Sequence, residues 1–282
     1  MTCTPFTALA CPLDGQALIH NEKQWYCEAG HSFDLARQGY VHLLPVQKKR
    51  TKNPGDSKEM VAARQRFLAS GFYKPIADAV NLAVLDGLAS TESISCLDAG
   101  CGEGYYLHKL AESVSGLRSL AVLGVDISKP AILAATKQGS QFQWVVASNA
   151  NLPVLPETVD RILCLFGFPV YSEFARVLTS GGRIIQADAG YDHLRELREI
   201  IYSELKPPRE SRGAVPEGFE LLSMETVHYK INLPGKADIA DLLAMTPHLY
   251  RASPEGREKA AALESLSVTV DVAVRCYEKR RV

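Results

Sequence analysis

The segment at residues 97–106 constrains the fold of this chain more than any other. It reads Leu-Asp-Ala-Gly-Cys-Gly-Glu-Gly-Tyr-Tyr. The glycines Gly100, Gly102 and Gly104 let the backbone turn sharply and approach a ligand where a Cβ would clash. A short apolar run precedes this loop and a helical pattern follows it, so we predict a strand-to-helix turn built around a small molecule.

Strand-like and helix-like segments alternate beyond this loop. Short apolar runs separated by helical patterns are typical of βαβ units around a buried parallel sheet. The predicted strands are residues 94–98, 120–125, 142–146, 159–165, 183–187 and, from period-2 alternation, 268–274. The predicted helices lie near residues 104–115, 128–138, 171–179 and 192–205. The pattern therefore predicts an α/β fold with a mostly parallel sheet.

Polar residues follow the first three predicted strands. Asp98 precedes the first glycine by two residues and can accept a hydrogen bond from a cationic amino-acid group, whereas it would repel a pyrophosphate. Asp126 ends the second strand, where a carboxylate can accept both hydroxyls of an adenosine ribose. Ser148 and Asn149 follow the third strand and could cap an adenine edge. The alternatives are a plain tight turn with Asp126 as a helix N-cap, and a nicotinamide-dependent oxidoreductase.

Taken together, these elements resemble the class I S-adenosylmethionine (SAM)-dependent methyltransferases. The resemblance implies a Rossmann-like, mostly parallel seven-stranded sheet with SAM as the cofactor. The implied cofactor contacts in this part of the chain are Asp98, Gly100, Gly102, Gly104, Asp126, Ser148 and Asn149.

The N-terminal region carries a closer resemblance. Residues 27–34 read Cys-Glu-Ala-Gly-His-Ser-Phe-Asp, and residues 39–47 include the run Leu-Leu-Pro-Val-Gln. Asp-Ser at residues 56–57 and Ala-Arg at 63–64 follow. This series is similar to that of the bacterial 23S ribosomal RNA guanine-N1 methyltransferases, in which a small zinc-binding module precedes a class I methyltransferase domain.

That family resemblance implies a domain order and four cofactor contacts. Residues 1–36 would form a zinc-ribbon-like RNA-recognition module, residues 37–70 a basic linker and helix, and residues 71–282 the SAM-dependent methyltransferase domain. By position, Tyr73, Gly102, Glu103 and His193 would contact the cofactor. Without the resemblance, Tyr73 could simply pack in a hinge between modules and His193 could begin an exposed helix.

The metal site departs from the family pattern at one position. The resemblance implies the ligands Cys11, Cys27 and His31, but Asp14 stands where the family has a second cysteine. Structural zinc takes four nitrogen or sulfur ligands, and a carboxylate oxygen also binds zinc. Asp14 could therefore complete a Zn²⁺ site. Alternatively, Cys3 could supply the fourth ligand from a flexible arm, or the metal has been lost and packing alone holds the module.

Composition narrows the partners and the compartment. The 31 basic and 32 acidic residues leave a formal charge of −1, which excludes a uniformly basic nucleic-acid coat. Residues 37–66, however, hold eight Lys and Arg against two acids, a pattern that favours binding to RNA phosphates but is also found in solvated linkers.

Seven scattered cysteines, an odd number, do not indicate a disulfide framework. With no apolar run of about 20 residues and no signal-peptide pattern, we expect a soluble cytoplasmic protein without membrane or DNA partners.

Three functional classes remain open on the residues alone: an RNA base methyltransferase, a methyltransferase of small molecules or proteins, and an RNA-binding module with a vestigial pocket. The family resemblance favours methylation of N1 of a guanine in a 23S rRNA hairpin, and it suggests a homodimer.

Guanine N1 must lose a proton, so a general base is required. Asp188, at the end of the fifth strand, is the candidate base. Phe166 and Phe168 could stack a flipped guanine, although such aromatics are as often part of a core.

Overall fold

The computed structural model describes residues 2–48, 51, 53–89, 93–114, 119–139, 141–205 and 214–281. Three residues of the predicted basic stretch, Lys49, Arg50 and Lys52, lie outside these ranges.

Short strands lie within the first 42 residues, and helices and further strands follow from residue 58 onward. The strands are β1 (Thr2–Pro5), β2 (Ile19–His20), β3 (Gln24–Tyr26), β4 (Ser32–Asp34), β5 (Tyr40–His42), β6 (Ser93–Ala99), β7 (Ser119–Asp126), β8 (Gln143–Val146), β9 (Val159–Leu165), β10 (Leu178–Ala189), β11 (Phe219–Leu233) and β12 (Leu266–Lys279). The helices are α1 (Lys58–Ala69), α2 (Lys74–Leu85), α3 (Tyr105–Ser113), α4 (Lys129–Ala135), α5 (Tyr171–Val177), α6 (Arg195–Ile201), α7 (Lys236–Ala244), α8 (His248–Arg251) and α9 (Pro254–Ala262).

One large sheet organises the chain in the order β11-β12-β10-β9-β6-β7-β8-β5, with β1 paired beside β7. The pairs from β10 through β8 to β5 are parallel, and β12 runs antiparallel to both β10 and β11. The predicted α/β fold with a mostly parallel sheet is confirmed. Seven strands come from the methyltransferase region, and β1 and β5 of the N-terminal region raise the total to nine.

The parallel pairing brings the candidate site loops to one edge of the sheet. Asp98 pairs with Gly124 across β6 and β7, and Asp126 pairs with Val146 across β7 and β8. The loops that follow these strands therefore leave the sheet side by side. Open α/β sheets bind ligands at this carboxyl edge.

A buried tryptophan explains two of the glycines. Trp144 on β8 is 1% exposed, and its ring fills the space beneath the glycine loop. A Cβ at Gly104 would lie 2.6 Å from this ring, and a Cβ at Gly124 would lie 2.3 Å from it. Real Cβ atoms do not approach ring atoms so closely. Gly104 is thus required by packing whether or not it contacts a ligand.

The N-terminal region is built into the large sheet. Strands β2, β3 and β4 form a separate three-stranded sheet, whereas β1 pairs with β7 and β5 pairs with β8. Cys11 and Trp25 of the small sheet region share a hydrophobic cluster with Val145 and Phe174 of the large domain. The functional boundaries at residues 36 and 70 stay a prediction, because the physical core runs across both.

None of the helices in the described part of the chain combines the length and the hydrophobicity that a membrane span requires.

Candidate functional site

The glycine loop has the tight geometry that its sequence predicts. Gly100, Gly102 and Gly104 all have positive φ, at 103°, 56° and 85°. The amides of Gly100 and Cys101 both donate to the carbonyl oxygen of Val125, at 2.8 and 3.0 Å. These bonds fold the loop back over the end of β7. A Cβ at Gly100 would meet no atom within 4 Å, so this glycine faces open space.

Two buried carboxyl groups at the loop have side-chain oxygens without hydrogen bonds among the described residues. Asp98 is 1% exposed, and neither of its oxygens accepts a hydrogen bond there. Burial, and then the nearby Asp126 and Glu103, raise the pKa of Asp98 well above its usual range. Glu103 is 2% exposed, and its Oε2 accepts no hydrogen bond but lies 4.0 Å from Arg64 Nη1. Burial raises the pKa of Glu103 to about 7, although the charge of Arg64 acts to lower it. Buried acids without hydrogen bonds fit the cationic amino-acid end of SAM.

Asp126 is held by backbone amides. Its Oδ2 accepts from the Gly102 amide at 2.9 Å and its Oδ1 from the Ser128 amide at 2.7 Å. Ser128, not Asp126, is the N-cap of α4, because the Ser128 hydroxyl oxygen accepts from the Ala131 amide. The alternative role of Asp126 as the helix N-cap is therefore wrong. Its carboxylate lies at the sheet edge where a ribose would be bound.

The loop after β8 is tied to the same edge. The side-chain amide of Asn149 donates to the Ala99 carbonyl oxygen at 3.1 Å, beside the start of the glycine loop. The Ser148 hydroxyl oxygen accepts from the Ala150 amide at 3.2 Å, and Ser148 forms a bridge pair with Asn151. The structure thus places Ser148 and Asn149 next to the first two strand ends, and their contact with the adenine stays a prediction.

Tyr73 and His193 meet across 120 residues of sequence. The Asp271 amide donates to His193 Nδ1 at 3.2 Å, so the ring proton belongs on Nε2, which lies 3.2 Å from the Tyr73 hydroxyl. This tautomer leaves the Tyr73 hydroxyl hydrogen for another acceptor. His193 is 8% exposed, and burial lowers its pKa to about 4. The alternative of an exposed helix start for His193 is wrong.

An aromatic loop follows β9 beside this pair. Phe166 stacks on Tyr73 and His193 with ring centroids 6.2 and 5.9 Å apart. It is 40% exposed and Phe168 is 89% exposed, so neither belongs to the core. Phe166 has a φ of 55°, a strained conformation for a bulky residue that is common at functional sites. With this backbone conformation its ring lies at the surface next to Tyr73.

Asp188 lies at the end of β10, one residue past the pairing of Ala187 with Leu165. Its Oδ2 accepts from Gln186 Nε2 at 2.8 Å and from Arg275 Nη1 at 3.1 Å. No described residue donates a hydrogen bond to Oδ1. The carboxyl group is one-third exposed and lies beside the Phe166 loop, so the predicted base is positioned at the site edge but is engaged by a cation.

The four predicted metal ligands converge. The ligand atoms of Cys11, Asp14, Cys27 and His31 all lie within 4.8 Å of one another. The closest approaches are His31 Nδ1 to Asp14 Oδ2 at 2.9 Å and Cys27 Sγ to Asp14 Oδ2 at 3.2 Å. Tetrahedral zinc with bonds of about 2.0–2.3 Å separates its ligand atoms by roughly 3.3–3.8 Å. The set therefore fits Zn²⁺ with Asp14 as the fourth ligand, and Cys3 on β1 belongs to the large sheet instead.

Two tight turns build this cluster. Gly15 and Gly30, both at positive φ, donate to the carbonyl oxygens of Cys11 and Cys27. The Gln16 amide donates to Asp14 Oδ1 at 2.9 Å and is the largest cause that lowers the pKa of Asp14 to about 2. This bond holds Oδ1, while Oδ2 lies toward the sulfur and nitrogen ligands.

Sequence reasoning missed Arg64 as a site residue and counted it among the RNA-binding cations. In the structure, Arg64 forms an ion pair with Asp56 and lies 4.0 Å from Glu103. Arg66 pairs with Asp241 on α7. Two of the eight cations in the basic stretch therefore form ion pairs within the protein, Arg64 half-buried and Arg66 at the surface. No local sequence signal distinguishes these paired arginines from the other cations of the stretch.

Comparison with known proteins agrees with this geometry. Residues 9–52 match the zinc ribbon family described as "RlmA, N-terminal", and residues 96–182 match the family described as "Methyltransferase domain". A Bacillus subtilis (strain 168) protein with the provisional name 23S rRNA (guanine-N1)-methyltransferase YxjB is 30% identical, covering 95% of this chain and 96% of its own. A Micromonospora griseorubida protein with the same provisional function is 31% identical, covering 97% of both chains.

A third relative carries a more specific name. The Streptomyces fradiae 23S rRNA (guanine(748)-N1)-methyltransferase is 29% identical, covering 88% of this chain and 87% of its own. These matches include both the metal cluster and the cofactor edge, which is the carboxyl edge of the sheet with Asp98, the glycine loop and Asp126. The chain therefore belongs to the family of 23S rRNA (guanine-N1)-methyltransferases, SAM-dependent enzymes with a zinc ribbon ahead of the methyltransferase domain.

Proposed function

We propose that this protein methylates N1 of one guanine in a hairpin of 23S rRNA. The observation that carries the proposal is the exposed aromatic loop, with Phe166 and Phe168 at the rim of the site formed by Tyr73 and His193. Aromatic side chains stack an unpaired base and so hold it out of a helix. Relatives named for this reaction match nearly the whole chain, which supports the same substrate class here.

We further propose a role for each part of the cofactor edge. Asp98 would accept the ammonium group of SAM, Asp126 the ribose hydroxyls, and the loop with Ser148 and Asn149 would border the adenine. Tyr73, Gly100, Gly102, Glu103 and His193 would complete the binding surface. When bound, SAM supplies an electrophilic methyl group, and the protein then has to align the guanine and remove its proton.

Asp188 would take that proton. SAM would supply the methyl group as its bond to sulfur breaks, and the N1 proton would pass to the Asp188 carboxylate, giving N1-methylguanine and S-adenosylhomocysteine. Asp188 Oδ1 is available for this step, while Gln186 and Arg275 fix Oδ2. Asp188→Asn keeps the shape and removes the proton acceptor, so we expect turnover to fall by about 100-fold or more with unchanged SAM affinity. Unchanged turnover would exclude Asp188 as the base.

The N-terminal region would recognise the RNA. Residues 1–36 present the metal cluster, and residues 37–70 continue with cations such as Arg37 and Lys58, whose side chains are exposed. Residues 71–282 would carry out the transfer. Assembly as a homodimer stays a prediction.

The function is tested by mapping methylation of 23S rRNA in cells with and without the gene. N1-methylguanine blocks Watson–Crick pairing, so primer extension should stop at one guanine when the gene is present and read through when it is deleted. The guanine numbered in the name of the Streptomyces fradiae relative is the first position to inspect. Complementation with the wild-type gene should restore the stop, and the Asp188→Asn gene should not. An identical rRNA pattern with and without the gene would favour a small-molecule substrate or another RNA instead.

A further inference from the structure

Arg64 lies directly over the glycine loop, at a position that the RNA-binding interpretation does not use. Its Nη2 pairs with Asp56 and donates to the Met245 carbonyl oxygen at 3.4 Å. Its Nη1 points toward the loop, where a Cβ at Gly102 would lie 3.3 Å away. The Arg64 side chain is 24% exposed. A cation thus lies at the cofactor edge without being solvated like an ordinary surface arginine.

Most charges at this edge are negative. Asp56, Asp98, Glu103 and Asp126 act on one another electrostatically, and Arg64 is the cation that acts on both Glu103 and Asp126. SAM ends in an amino acid, which carries an ammonium and a carboxylate. The unpartnered Asp98 suits the ammonium, but a carboxylate placed among four acids would be repelled unless a cation faced it.

We propose that Arg64 binds the carboxylate of the SAM methionine moiety. This role rests on SAM being the cofactor, and it holds whatever RNA position is methylated.

The unused part of the guanidinium group supports this role. An arginine carries five N–H donors in a rigid fork that matches a carboxylate. The described contacts engage Nη2, whereas Nη1 lies 4.0 Å from Glu103 Oε2, beyond hydrogen-bond length. Because the pKa of Glu103 is raised to about 7, this group is partly neutral near physiological pH and competes weakly for Arg64. Nη1 is therefore a charged donor at the loop without an acceptor among the described residues.

A purely structural role is the competing explanation. Arg64 anchors the segment before α1, where the Asp56 carbonyl oxygen also accepts from the Ser128 hydroxyl at 2.7 Å. A Cβ at Gly55 would lie 2.7 Å from Ser128 Cβ, so this segment packs tightly on the start of α4. If anchoring were all that Arg64 does, its loss would disturb every cofactor analogue alike.

A binding cycle separates the two roles. The full-length wild-type protein and Arg64→Gln are each titrated calorimetrically with SAM and with decarboxylated SAM, which lacks only the carboxylate. We expect Arg64→Gln to weaken SAM binding by about 10- to 100-fold, as for a lost charge-assisted hydrogen bond, and to change binding of decarboxylated SAM less than about threefold. Equal weakening of both ligands would overturn the proposal, as would a wild-type protein that does not distinguish them.

Two further variants keep the test decisive. Arg66→Gln removes a cation on the same helix whose partner, Asp241, is on α7, and it should leave both affinities unchanged. Arg64→Lys keeps the charge but loses the fork, and it remains informative if Arg64→Gln fails to fold. We expect it to reduce the preference for SAM over decarboxylated SAM at least threefold. An unchanged preference would mean that only the local field matters and would refute direct binding. Because no RNA enters these titrations, their failure is distinct from failure of the rRNA proposal.

Discussion

Replacing Gly104 with alanine tests whether this glycine serves packing or ligand binding. The new Cβ would lie 2.6 Å from Trp144 Cη2 and 3.3 and 3.4 Å from two neighbouring ring atoms. Trp144 cannot move away easily, because it is fully buried and Gly124 packs against the same ring. Overpacking of this kind costs about 1–3 kcal/mol. The φ of 85° adds about 1–2 kcal/mol for any residue with a Cβ.

The expected loss of unfolding free energy for Gly104→Ala is therefore about 2–5 kcal/mol, a large part of the stability of a typical domain. Gly100→Ala is the matched control, since its Cβ would meet open space and only the backbone term, about 1–2 kcal/mol, applies. Urea unfolding followed by circular dichroism measures both. Because Gly100 faces the proposed ligand space, Gly100→Ala should instead show the larger loss of SAM affinity.

A double-mutant cycle identifies the clash itself. Trp144→Phe removes the ring atoms that the Gly104 Cβ would meet. In that background Gly104→Ala should cost only the backbone term, so the two changes should couple by at least about 1 kcal/mol. Additive effects would refute the packing explanation, as would equal costs for the Gly100 and Gly104 variants.

Three further predictions concern the histidine, the metal ligand and the aromatic loop. Burial lowers the pKa of His193 to about 4, against about 6.5 in an unfolded chain. Between about pH 4 and pH 6.5 the unfolded state therefore binds one more proton than the folded state. Its contribution to stability is complete above pH 6.5 and should fall by about 3 kcal/mol as the pH drops to 4. Thermal unfolding across this range should show the slope, and His193→Gln should reduce it, leaving the part due to His248, whose pKa is also lowered to about 4. Protein purified without chelator should hold about one zinc per chain by elemental analysis, and a folded, metal-free wild type would contradict the site. The Asp14→Cys variant should bind zinc more tightly than the wild type in a chelator competition. Phe168→Ala should leave the melting temperature unchanged, since its side chain is 89% exposed, but weaken RNA binding by about 1–3 kcal/mol in a filter-binding assay.

Local sequence patterns were sufficient to predict the strands that are buried on both faces. The apolar runs that predicted β6, β7, β8 and β9 coincide with strands whose residues are mostly buried. β11 was missed because seven consecutive residues after Phe219 are exposed, so neither an apolar run nor a clean alternation marks it. The short strands β1 and β5 were missed for a different reason. Three or four residues form a strand only because a neighbouring strand supplies the hydrogen bonds.

The residues of the candidate site also differ in whether the local sequence indicates them. Asp98, the glycines and Asp126 were predicted because a strand end and a turn define them within a few residues. The partners of Arg64 are distributed over residues 56, 103 and 245, and nothing in the sequence indicates that the fold brings them together. The excess of Lys and Arg in residues 37–66 indicated that Arg64 belongs to a basic segment, but it did not indicate which groups Arg64 contacts. The same reasoning explains why His193 looked exposed by sequence yet is enclosed by Tyr73 and Phe166.

The position of the metal cluster changes how the N-terminal region should be understood. A recognition module on a linker would have its own core and few contacts with the catalytic domain. Here the strands on either side of the cluster pair with β7 and β8, the two strands whose ends carry Asp126 and the Ser148 loop. Asn151 in that loop donates to the Pro12 carbonyl oxygen at 3.5 Å, next to the ligand Cys11. The metal ligands and the Ser148 loop are thus parts of one packed unit, so a shift of the region that would read the RNA should also move the edge that would hold the cofactor.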